Sequence, residues 1–288
     1  WLPRTYPGTS AAVMGLFSGL HTKVAVYMLY RLYVQLFDLE QRWNVMIIVI
    51  MIISMMIGAF GGLAENSIRR VLGYQMLNGM PFILVMLAFT SDDPRRALAA
   101  GIMYTIHHML TVGSLILASG AIEETYGTGL LSKLSGLARR DPIIAWIFAA
   151  GAFSVVGFPP FSGMWGKLMI VFEIARVGGA WAWIAIAAII IASFAAFLAM
   201  LRVWRKVFWG KGLPEDKVPD ELVIRKKLMA PSAALILGSL CMFIFSGIVL
   251  DVVDSAAEQL LDTNAYTETV LGDEPIAVPN IDEIQEGR

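Results

Sequence analysis

Long apolar stretches recur along this chain of 288 residues and constrain its fold more than any other feature. Each approaches the roughly 20 residues that an α-helix needs to cross a lipid bilayer. Hydrophobic residues make up 57% of the chain and charged residues 16%, against about 45–50% and about 25% in soluble domains. The sequence therefore predicts an all-α, polytopic membrane helix bundle. The six uninterrupted stretches are Ser10–Leu36, Asn44–Ala64, Val71–Phe89, Ala97–Ser119, Trp181–Val203 and Leu228–Leu250.

A seventh apolar stretch, Pro142–Val177, is interrupted near its middle. A helix cannot run through adjacent prolines with glycines on either side, so the stretch is either two crossings or one broken helix. The interrupting residues are Gly157, Pro159, Pro160 and Gly163, with Gly166 shortly after them.

The placement of basic residues favours one broken crossing, because Lys and Arg collect in cytoplasmic loops. With one crossing, thirteen basic residues fall on one side of the membrane and four on the other; with two crossings the counts become seven and ten. We therefore predict about seven crossings, with residue 1 on the cytoplasmic side and the C-terminus outside.

The two ends of the chain differ in character from the apolar stretches. Residues 1–250 are expected to form the membrane-embedded domain, and 251–288 an acidic extracytoplasmic tail with one basic residue, Arg288. The start of that tail, Asp251–Asp262, is expected to continue as an amphipathic helix, with disorder from Asp273 onward. Because the first residues lack an initiator Met and the regions of a signal peptide, we expect a chain that begins within a longer protein.

The charges and motifs exclude several classes of function. With 22 Lys and Arg against 23 Asp and Glu, the formal net charge is -1, so no basic field exists to hold nucleic acid. The one cysteine, Cys241, permits no internal disulfide and no Cys-rich metal framework. The sequence also lacks a nucleotide loop, a nucleophile elbow, paired carboxylates and any carboxylate or hydroxyl spacing typical of an oxygen cage. It predicts no enzyme, cofactor or metal site.

Lys23 lies in the middle of the first predicted crossing, about 13 residues from either end. This is roughly 20 Å of helix, farther than a lysine side chain reaches. An ammonium at the centre of a membrane helix costs about 2.5–3.5 kcal/mol on insertion scales. Lys23 is therefore expected to face a polar interior, where it either carries protons or is held by backbone carbonyls for packing alone.

Two histidines, His107 and His108, lie at the same depth in the fourth predicted crossing. Helical spacing puts Tyr104 on the face of both and Thr111 one turn beyond His108. A zinc site is not predicted, because neighbouring helix positions diverge and no nearby Cys, Asp or Glu completes a ligand set. An unperturbed imidazole titrates near neutral pH, which suits a proton relay. The alternative is a pair of histidines satisfied by hydrogen bonds between helices.

Lys167 directly follows Gly166, close to the predicted break inside the bilayer. Non-helical backbone at that depth is tolerated where it is buried in protein or lines a water-filled cavity, and discontinuous helices recur at transporter binding sites. Lysines on helices packed about 8–10 Å apart can exchange protons through water and the histidines. We therefore predict a lateral proton path at mid-depth, against the alternative of a structural kink. Its residues are Lys23, His107, His108 and Lys167.

Two other charged residues are secondary candidates. Arg69 lies at a membrane edge, where reach to the interface and the cytoplasmic bias of basic residues also explain it. Glu173 precedes Arg176 by three residues on one helix face and most simply pairs with it.

Several segments together resemble the antiporter-like family shared by Mrp-type multisubunit cation/proton antiporters and the proton-pumping membrane subunits of respiratory complex I. Trp1–Pro3 with Ser18–Lys23 is similar to the family's entry into a helix with a central lysine. The family usually has Lys where Arg69 stands, and many members have Lys where this chain has Val112. The other matching segments are Ile68–Tyr74, the histidine-bearing helix His107–Gly120 and the broken helix Gly157–Lys167.

This resemblance implies a fold and a size. The family fold has two inverted repeats of five helices, each with one broken helix, within about fourteen crossings. The chain is expected to be the C-terminal half, without the upstream glutamate–lysine pair. Within the family, the short loop after the last crossing and Leu260–Tyr266 are similar to the end of the D subunit of the Mrp-type Na⁺/H⁺ antiporters.

The resemblance also implies a function. We expect a subunit of a hetero-oligomeric complex in the plasma (inner) membrane, embedded in the lipid bilayer, that exchanges Na⁺ for protons as a secondary transporter. Two alternatives stay open: a proton-pumping subunit of a complex I-like oxidoreductase, whose redox cofactors would be held by partners, and an inactive scaffold subunit, to which Val112 gives weight.

Overall fold

The computed structural model describes residues 1–211 and 222–272. Its regular structure is helical in these ranges, apart from an isolated bridge between Ser67 and Leu130. Six helices are long and apolar enough to cross a membrane, which confirms the six uninterrupted crossings. They are α1 (Ala11–Gln35), α2 (Gln41–Ala64), α3 (Ile68–Ala88), α4 (Pro94–Tyr126), α7 (Gly179–Phe208) and α8 (Lys226–Ile244).

The interrupted stretch forms two shorter helices, α5 (Pro142–Val156) and α6 (Ser162–Val177). With 15 and 16 residues, each spans about 22–24 Å, less than the roughly 30 Å hydrocarbon core. Both pack against α4. Residues later in α5 and α6 contact residues progressively closer to the N-terminal end of α4. The two halves therefore run in one direction, antiparallel to α4, and the single broken crossing is confirmed. The contacts, in order, are Asp141–Tyr126, Ser154–Thr111, Ser162–His107 and Arg176–Asp92.

The first crossing contains a feature that the sequence did not predict, a wide π-helical turn at Phe17–His21. Such turns are rare and often occur at functional sites. The turn ends two residues before Lys23. Helix α1 also runs antiparallel to α4, because Gly15 lies beside Leu117 and Tyr30 lies beside Gly101. Lys23 of α1 is therefore level with the middle of α4.

The apolar core is divided into two clusters, one toward each end of the bundle. One includes Val26, Tyr104 and Ile170, and the other includes Met14, Val112 and Val155. Along α1, α4 and α5–α6, Lys23, the pair His107 and His108, and the pair Ser162 and Lys167 each fall between residues of the two clusters. The fold thus places a layer of polar groups across the middle of the membrane.

Charged residues pair at the two ends of α4. At the end that we call the Tyr126 end, Arg202 donates to Asn66 at 2.9 Å and Arg225 to Glu124 at 3.4 Å. At the opposite Asp92 end, the ion pairs are Arg176–Asp92, Arg96–Asp93 and Arg95–Asp254. The basic segments around residues 202–211 and 222–227 share the Tyr126 end, as one broken crossing requires.

The last crossing is shorter than predicted: α8 ends at Ile244, not at Leu250, and α9 (Ser246–Leu261) follows a break at Phe245. The side chains of Val253, Ala257 and Leu260 form an apolar stripe buried in the core that contains α1 and α4. The expected amphipathic helix is thus part of α9 and packs on the bundle. Helix α10 (Thr263–Leu271) follows, and the stretch from Asp273, expected to be disordered, lies outside the described residues.

Candidate functional site

The central contact of the polar layer joins Lys23 to His108. Lys23 is 6% exposed, and its Nζ lies 2.8 Å from His108 Nδ1. The ammonium also donates to the carbonyl of Ser18 at 2.7 Å and lies 3.3 Å from Thr22 Oγ1. Since Ser18 belongs to the π-helical turn, this turn supplies the acceptor that a lysine needs at mid-membrane depth.

The same contact fixes the protons on His108. An ammonium has donors only, so Nδ1 must accept from Lys23 and the ring proton must lie on Nε2. Nε2 is 3.4 Å from the carbonyl of Gln75, which accepts that proton. Conversely, a neutral Lys23 amine can accept from a protonated Nδ1. The pair is therefore arranged to pass one proton in either direction over a single short hydrogen bond.

A close approach by α3 positions the His108 ring. A Cβ at Gly79 would lie 2.0 Å from both Cδ2 and Nε2 of that ring, so only glycine permits the observed placement. Gly79 cannot be recognised from the sequence, since a lone glycine in an apolar helix also fits simple helix packing.

His107 points toward the break between α5 and α6. Its Nδ1 lies 2.9 Å from Ser162 Oγ and 3.2 Å from Thr111 Oγ1. Thr111 therefore contacts His107, one turn back on α4, and not His108. A Cβ at Gly163 would lie 1.9 Å from the carbonyl oxygen of Ser154 and 2.9 Å from His107 Cε1, so this glycine lets the broken helix approach the imidazole.

Four buried hydroxyl groups form a cluster beside His107, one each from α4, α5, α6 and α8. Ser154 Oγ lies 2.8 Å from Thr111 Oγ1 and 3.0 Å from Ser239 Oγ, which is 2.7 Å from Ser162 Oγ. A hydroxyl both donates and accepts, so the cluster extends the hydrogen-bonded row beyond His107. The sequence did not predict this cluster, because its members come from helices far apart in the chain and spacing along the chain cannot reveal it.

Both histidines line a small cavity of about 10 Å³, about the space that one water molecule needs. Polar atoms of Gln75 and Asn78 are buried at this level and have no hydrogen-bond partner in the part of the chain that the structure describes. Buried polar groups in proteins are normally paired with protein or water. The cavity is therefore suited to an ordered water. Its walls are Gln75, Asn78, Gly79, Tyr104, His107, His108, Val112 and Val155.

Lys167 reaches back to the helix break. Its Nζ donates to the carbonyl of Val156, the last residue of α5, at 2.9 Å and to Ser193 Oγ of α7 at 2.8 Å. The ammonium also lies 5.3 Å from the centre of the Phe82 ring. The break thus leaves a carbonyl free to hold a charge at mid-depth. Phe82 stacks on Tyr104 with ring centres 5.1 Å apart, and Tyr104 contacts His107, so aromatic rings lie between Lys167 and the histidines.

The secondary candidates Arg69 and Glu173 lie outside the polar layer. Arg69 forms an ion pair of 2.6 Å with Glu123 at the Tyr126 end, and both side chains are less than one-fifth exposed. Its guanidinium also donates to the carbonyl of Thr9, so it links α1, α3 and α4 and does not simply reach toward an interface. Glu173 lies 3.8 Å from Arg176 at the Asp92 end, where the expected pairing is found.

Comparisons with known proteins agree with this architecture. The family NADH:quinone oxidoreductase/Mrp antiporter, TM, matches residues 1–196. The D subunit of a Na(+)/H(+) antiporter from Bacillus subtilis is 31% identical over 94% of this chain and 54% of its own length. NADH-quinone oxidoreductase subunit N of Cupriavidus taiwanensis is 27% identical over 82% of this chain and 49% of its own.

A solved structure is similar over the same extent. A chain in the Mrp complex from Dietzia sp. DQ12-45-1b is 33% identical, with a TM-score of 0.85, over 94% of this chain and 57% of that one. The chain spans about half the length of the relatives that it matches. The family match over most of its length and the shared fold agree: this chain belongs to the NADH:quinone oxidoreductase/Mrp antiporter family of membrane proteins.

Proposed function

We propose that this chain is the proton-translocating part of a secondary transporter, a subunit of a membrane complex that exchanges Na⁺ for protons. One observation carries the proposal: the buried 2.8 Å contact between Lys23 and His108, in a polar layer that continues through His107 to the broken helix. Two buried titratable groups in direct contact, with hydroxyls beyond them, can form a proton relay that runs parallel to the membrane plane. Relatives that are Na(+)/H(+) antiporter subunits support Na⁺ as the exchanged ion.

The relay works through the side chains described above. A proton on Lys23 passes to His108 Nδ1, which leaves a neutral amine and an imidazolium. The imidazolium releases its Nε2 proton to a water in the cavity between the imidazoles, and the water donates to His107. From His107, the hydroxyls of Ser162, Thr111, Ser154 and Ser239 can carry the proton into the broken helix. Lys167, held at the break, sets the charge at the far end of the row.

The orientation follows from the basic residues. Because these residues gather at the Tyr126 end, we place this end in the cytoplasm of a plasma membrane and the Asp92 end outside. Protons that enter the cell then move from the Asp92 end to the polar layer, along it, and out at the Tyr126 end. Other subunits would complete the path for Na⁺.

The test is proton flux driven by Na⁺ in inverted vesicles that contain the complete complex. Lys23→Ala and Lys167→Ala should each abolish flux, because each removes a charged group that the layer holds at mid-depth. Lys133→Ala, an exposed lysine at the Tyr126 end, is the control and should retain normal flux. Normal flux in Lys23→Ala, with the mutated chain present in the complex, would refute the relay and leave a scaffold role.

The related function in this family is redox-driven proton pumping, which the NADH-quinone oxidoreductase relative represents. It predicts the same relay with a different energy source. Purification of the complete complex separates the two, since flavin and iron–sulfur absorbance in the complex would favour an oxidoreductase. A complex without this absorbance that still shows Na⁺-dependent flux would support the antiporter.

A further inference from the structure

An apolar groove lies between α5 and α7, on the outside of the bundle. It has a volume of about 560 Å³, within the roughly 300–1,000 Å³ that is typical of sites for small organic ligands. Its lining contains no charged side chain among the described residues. The proposed relay does not use this groove, which lies on a different face of α5 from the hydroxyl cluster.

The groove exists because one face of α5 carries small side chains. Ala145, Ala149 and Ala152 are spaced by four and three residues, so they lie on one face of the helix and all line the groove. Trp146 and Phe153 also line it and are 76% and 50% exposed. Since these large apolar side chains are open to the surroundings of the bundle, the groove faces the bilayer.

The groove occupies one half of the membrane. Its lining includes Pro142 and Val156, the first and last residues of α5, so it follows this whole helix of 15 residues, about 22 Å. Its α7 wall, from Phe197 to Trp209, lies in the same half. A partner helix that crosses the roughly 30 Å hydrocarbon core would require a surface in both halves. A groove that ends at mid-depth instead fits the acyl chain of a lipid in one leaflet.

An arginine lies at the mouth of the groove, at the Tyr126 end. Arg205 is four residues after Leu201 and four before Trp209, about one helical turn from each, and both of these residues line the groove. Arg205 is exposed, so its guanidinium is accessible at the level where the groove opens to the membrane surface. Guanidinium groups bind phosphate with two parallel hydrogen bonds.

The positive charge at this mouth is not neutralised within the described part of the chain. Arg205, Lys206 and Arg139 are all exposed, and their side chains have no ion pair or hydrogen bond among residues 1–211 and 222–272. Arg202 and Arg225 at the same end both have partners. A cluster of unpaired cations beside an apolar groove between membrane helices is typical of a site for an acidic lipid headgroup.

Three indole rings supply hydrogen-bond donors between the cations and the apolar part. Trp146, Trp204 and Trp209 line the groove, and their N–H groups have no acceptor in the described ranges. An indole N–H can only donate, and tryptophan is enriched at the headgroup level of membranes. The ester carbonyls of a phospholipid lie at this level and accept hydrogen bonds. The groove is therefore complementary to a phosphate, to ester groups and to an acyl chain, in that order from the membrane surface inward.

We propose that the groove between α5 and α7 binds an anionic phospholipid, with one acyl chain in the groove and the phosphate at Arg205. The inference rests on the proposed function only for the side of the membrane: with the Tyr126 end in the cytoplasm, the lipid belongs to the cytoplasmic leaflet. The inner end of the groove reaches Val156, whose carbonyl accepts from Lys167 at 2.9 Å. The bound acyl chain thus covers the lipid-facing side of the helix break.

Photoaffinity labelling of the complete complex tests the site without measuring transport. Phosphatidylglycerol and phosphatidylcholine, each with a diazirine near the end of one acyl chain, are compared in otherwise identical vesicles, and labelled peptides are identified by mass spectrometry. Phosphatidylglycerol should label α5 and α7 at least about fivefold more, because one basic residue near an anionic headgroup contributes about this factor. Equal labelling by the two lipids would overturn the headgroup site.

The double variant Arg205→Gln, Lys206→Gln tests the cations. It should remove most of the preference for phosphatidylglycerol and leave labelling by phosphatidylcholine unchanged. Arg70→Gln is the control, since Arg70 is an exposed arginine at the same end that lies outside the groove lining and has a carboxylate partner. A double variant with the full preference would refute the role of these residues.

The acyl-chain part is tested by filling the groove. Ala149→Phe should lower labelling of α5 and α7 by phosphatidylglycerol at least about fivefold. Ala187→Phe makes the same change at an exposed position of α7 outside the groove lining and should have no effect. Normal labelling in an assembled Ala149→Phe complex would show that the acyl chain lies elsewhere.

A partner subunit is the other candidate occupant. With benzoylphenylalanine in place of Phe153, illumination of the complex should give adducts with lipid, because Phe153 lines the groove and is half-exposed. A covalent product with another protein chain would overturn the lipid site and identify the groove as a subunit interface.

These results are independent of the proton relay. If Lys23→Ala retains normal flux while the preference for phosphatidylglycerol is found, the lipid site stands and the relay fails. If Lys23→Ala abolishes flux while both lipids label equally, the relay stands and the lipid site fails.

Discussion

Replacement of Gly79 by alanine tests whether the Lys23–His108 contact controls transport. The new Cβ would lie 2.0 Å from Cδ2 and Nε2 of His108, whereas ordinary van der Waals contact begins at 3.4 Å. The imidazole must therefore move by 1.4 Å, the difference between the two distances. Nδ1 lies on the far side of the ring, 2.8 Å from Lys23 Nζ, so the ring cannot shift directly away from the new methyl group. It must rotate, and the hydrogen bond to Lys23 is lost.

The size of the effect follows from this hydrogen bond. A hydrogen bond to a charged group contributes about 1.5–3 kcal/mol, and each 1.4 kcal/mol is a factor of about ten in the population of the aligned pair. Na⁺-driven proton flux in Gly79→Ala should therefore fall at least about tenfold. The mutation adds one methyl group and removes no titratable residue, so a loss of flux reports on geometry alone.

The assay compares Gly79→Ala with Gly247→Ala in vesicles that contain equal amounts of complete complex. A Cβ at Gly247, also in a helix, meets no atom within 4 Å, so this control should behave as the parent. Flux within about twofold of the parent in an assembled Gly79→Ala complex would refute the argument, since a tenfold loss is the smallest effect that the lost hydrogen bond allows.

Two further substitutions test other parts of the site. Ser239→Ala removes the hydroxyl that joins Ser154 to Ser162, so flux should fall several-fold while Ser232→Ala, whose hydroxyl caps its own helix turn at Met229, should not change it. Equal flux in both variants would show that the hydroxyl cluster only packs the helices. Glu123→Gln leaves Arg69 without its largely buried carboxylate partner, so the melting temperature of the complex should fall while flux per folded complex stays normal. A change in flux without a change in melting temperature would instead place Arg69 in the proton path.

The sequence predicts the crossings well because burial in lipid imposes a strong and local signal. Six apolar runs and one proline-interrupted run are visible without any knowledge of packing. Lys23, His107, His108 and Lys167 are identifiable for the same reason, since a charge or imidazole amid apolar residues is costly unless the interior is polar. The depth of these residues, counted along the helices, also agrees with the single layer in the structure.

Contacts between distant helices are what the sequence could not reveal. Gln75, Ser154 and Ser239 are uncharged polar residues within membrane helices, and nothing local in the sequence shows that they lie near the histidines. The π-helical turn at Phe17–His21 was missed because neither proline nor a glycine pair marks it clearly. The end of α8 was placed six residues too late, because hydropathy continues across Phe245 while the backbone turns there.

Val112 stands where the family resemblance implies a lysine, and the structure shows what surrounds this position. Its side chain is 1% exposed and lines the cavity between the two imidazoles, which has room for about one water and none for a lysine. A second ammonium there would also lie beside Lys23 and repel it within a region of low dielectric. An apolar residue keeps one charge, not two, on the α1 side of His107. In the proposed relay, a water bound by the unpaired side-chain atoms of Gln75 and Asn78 would carry the proton where the family resemblance implies a lysine. The proposed relay therefore requires the packing that shapes this cavity as much as the titratable residues themselves.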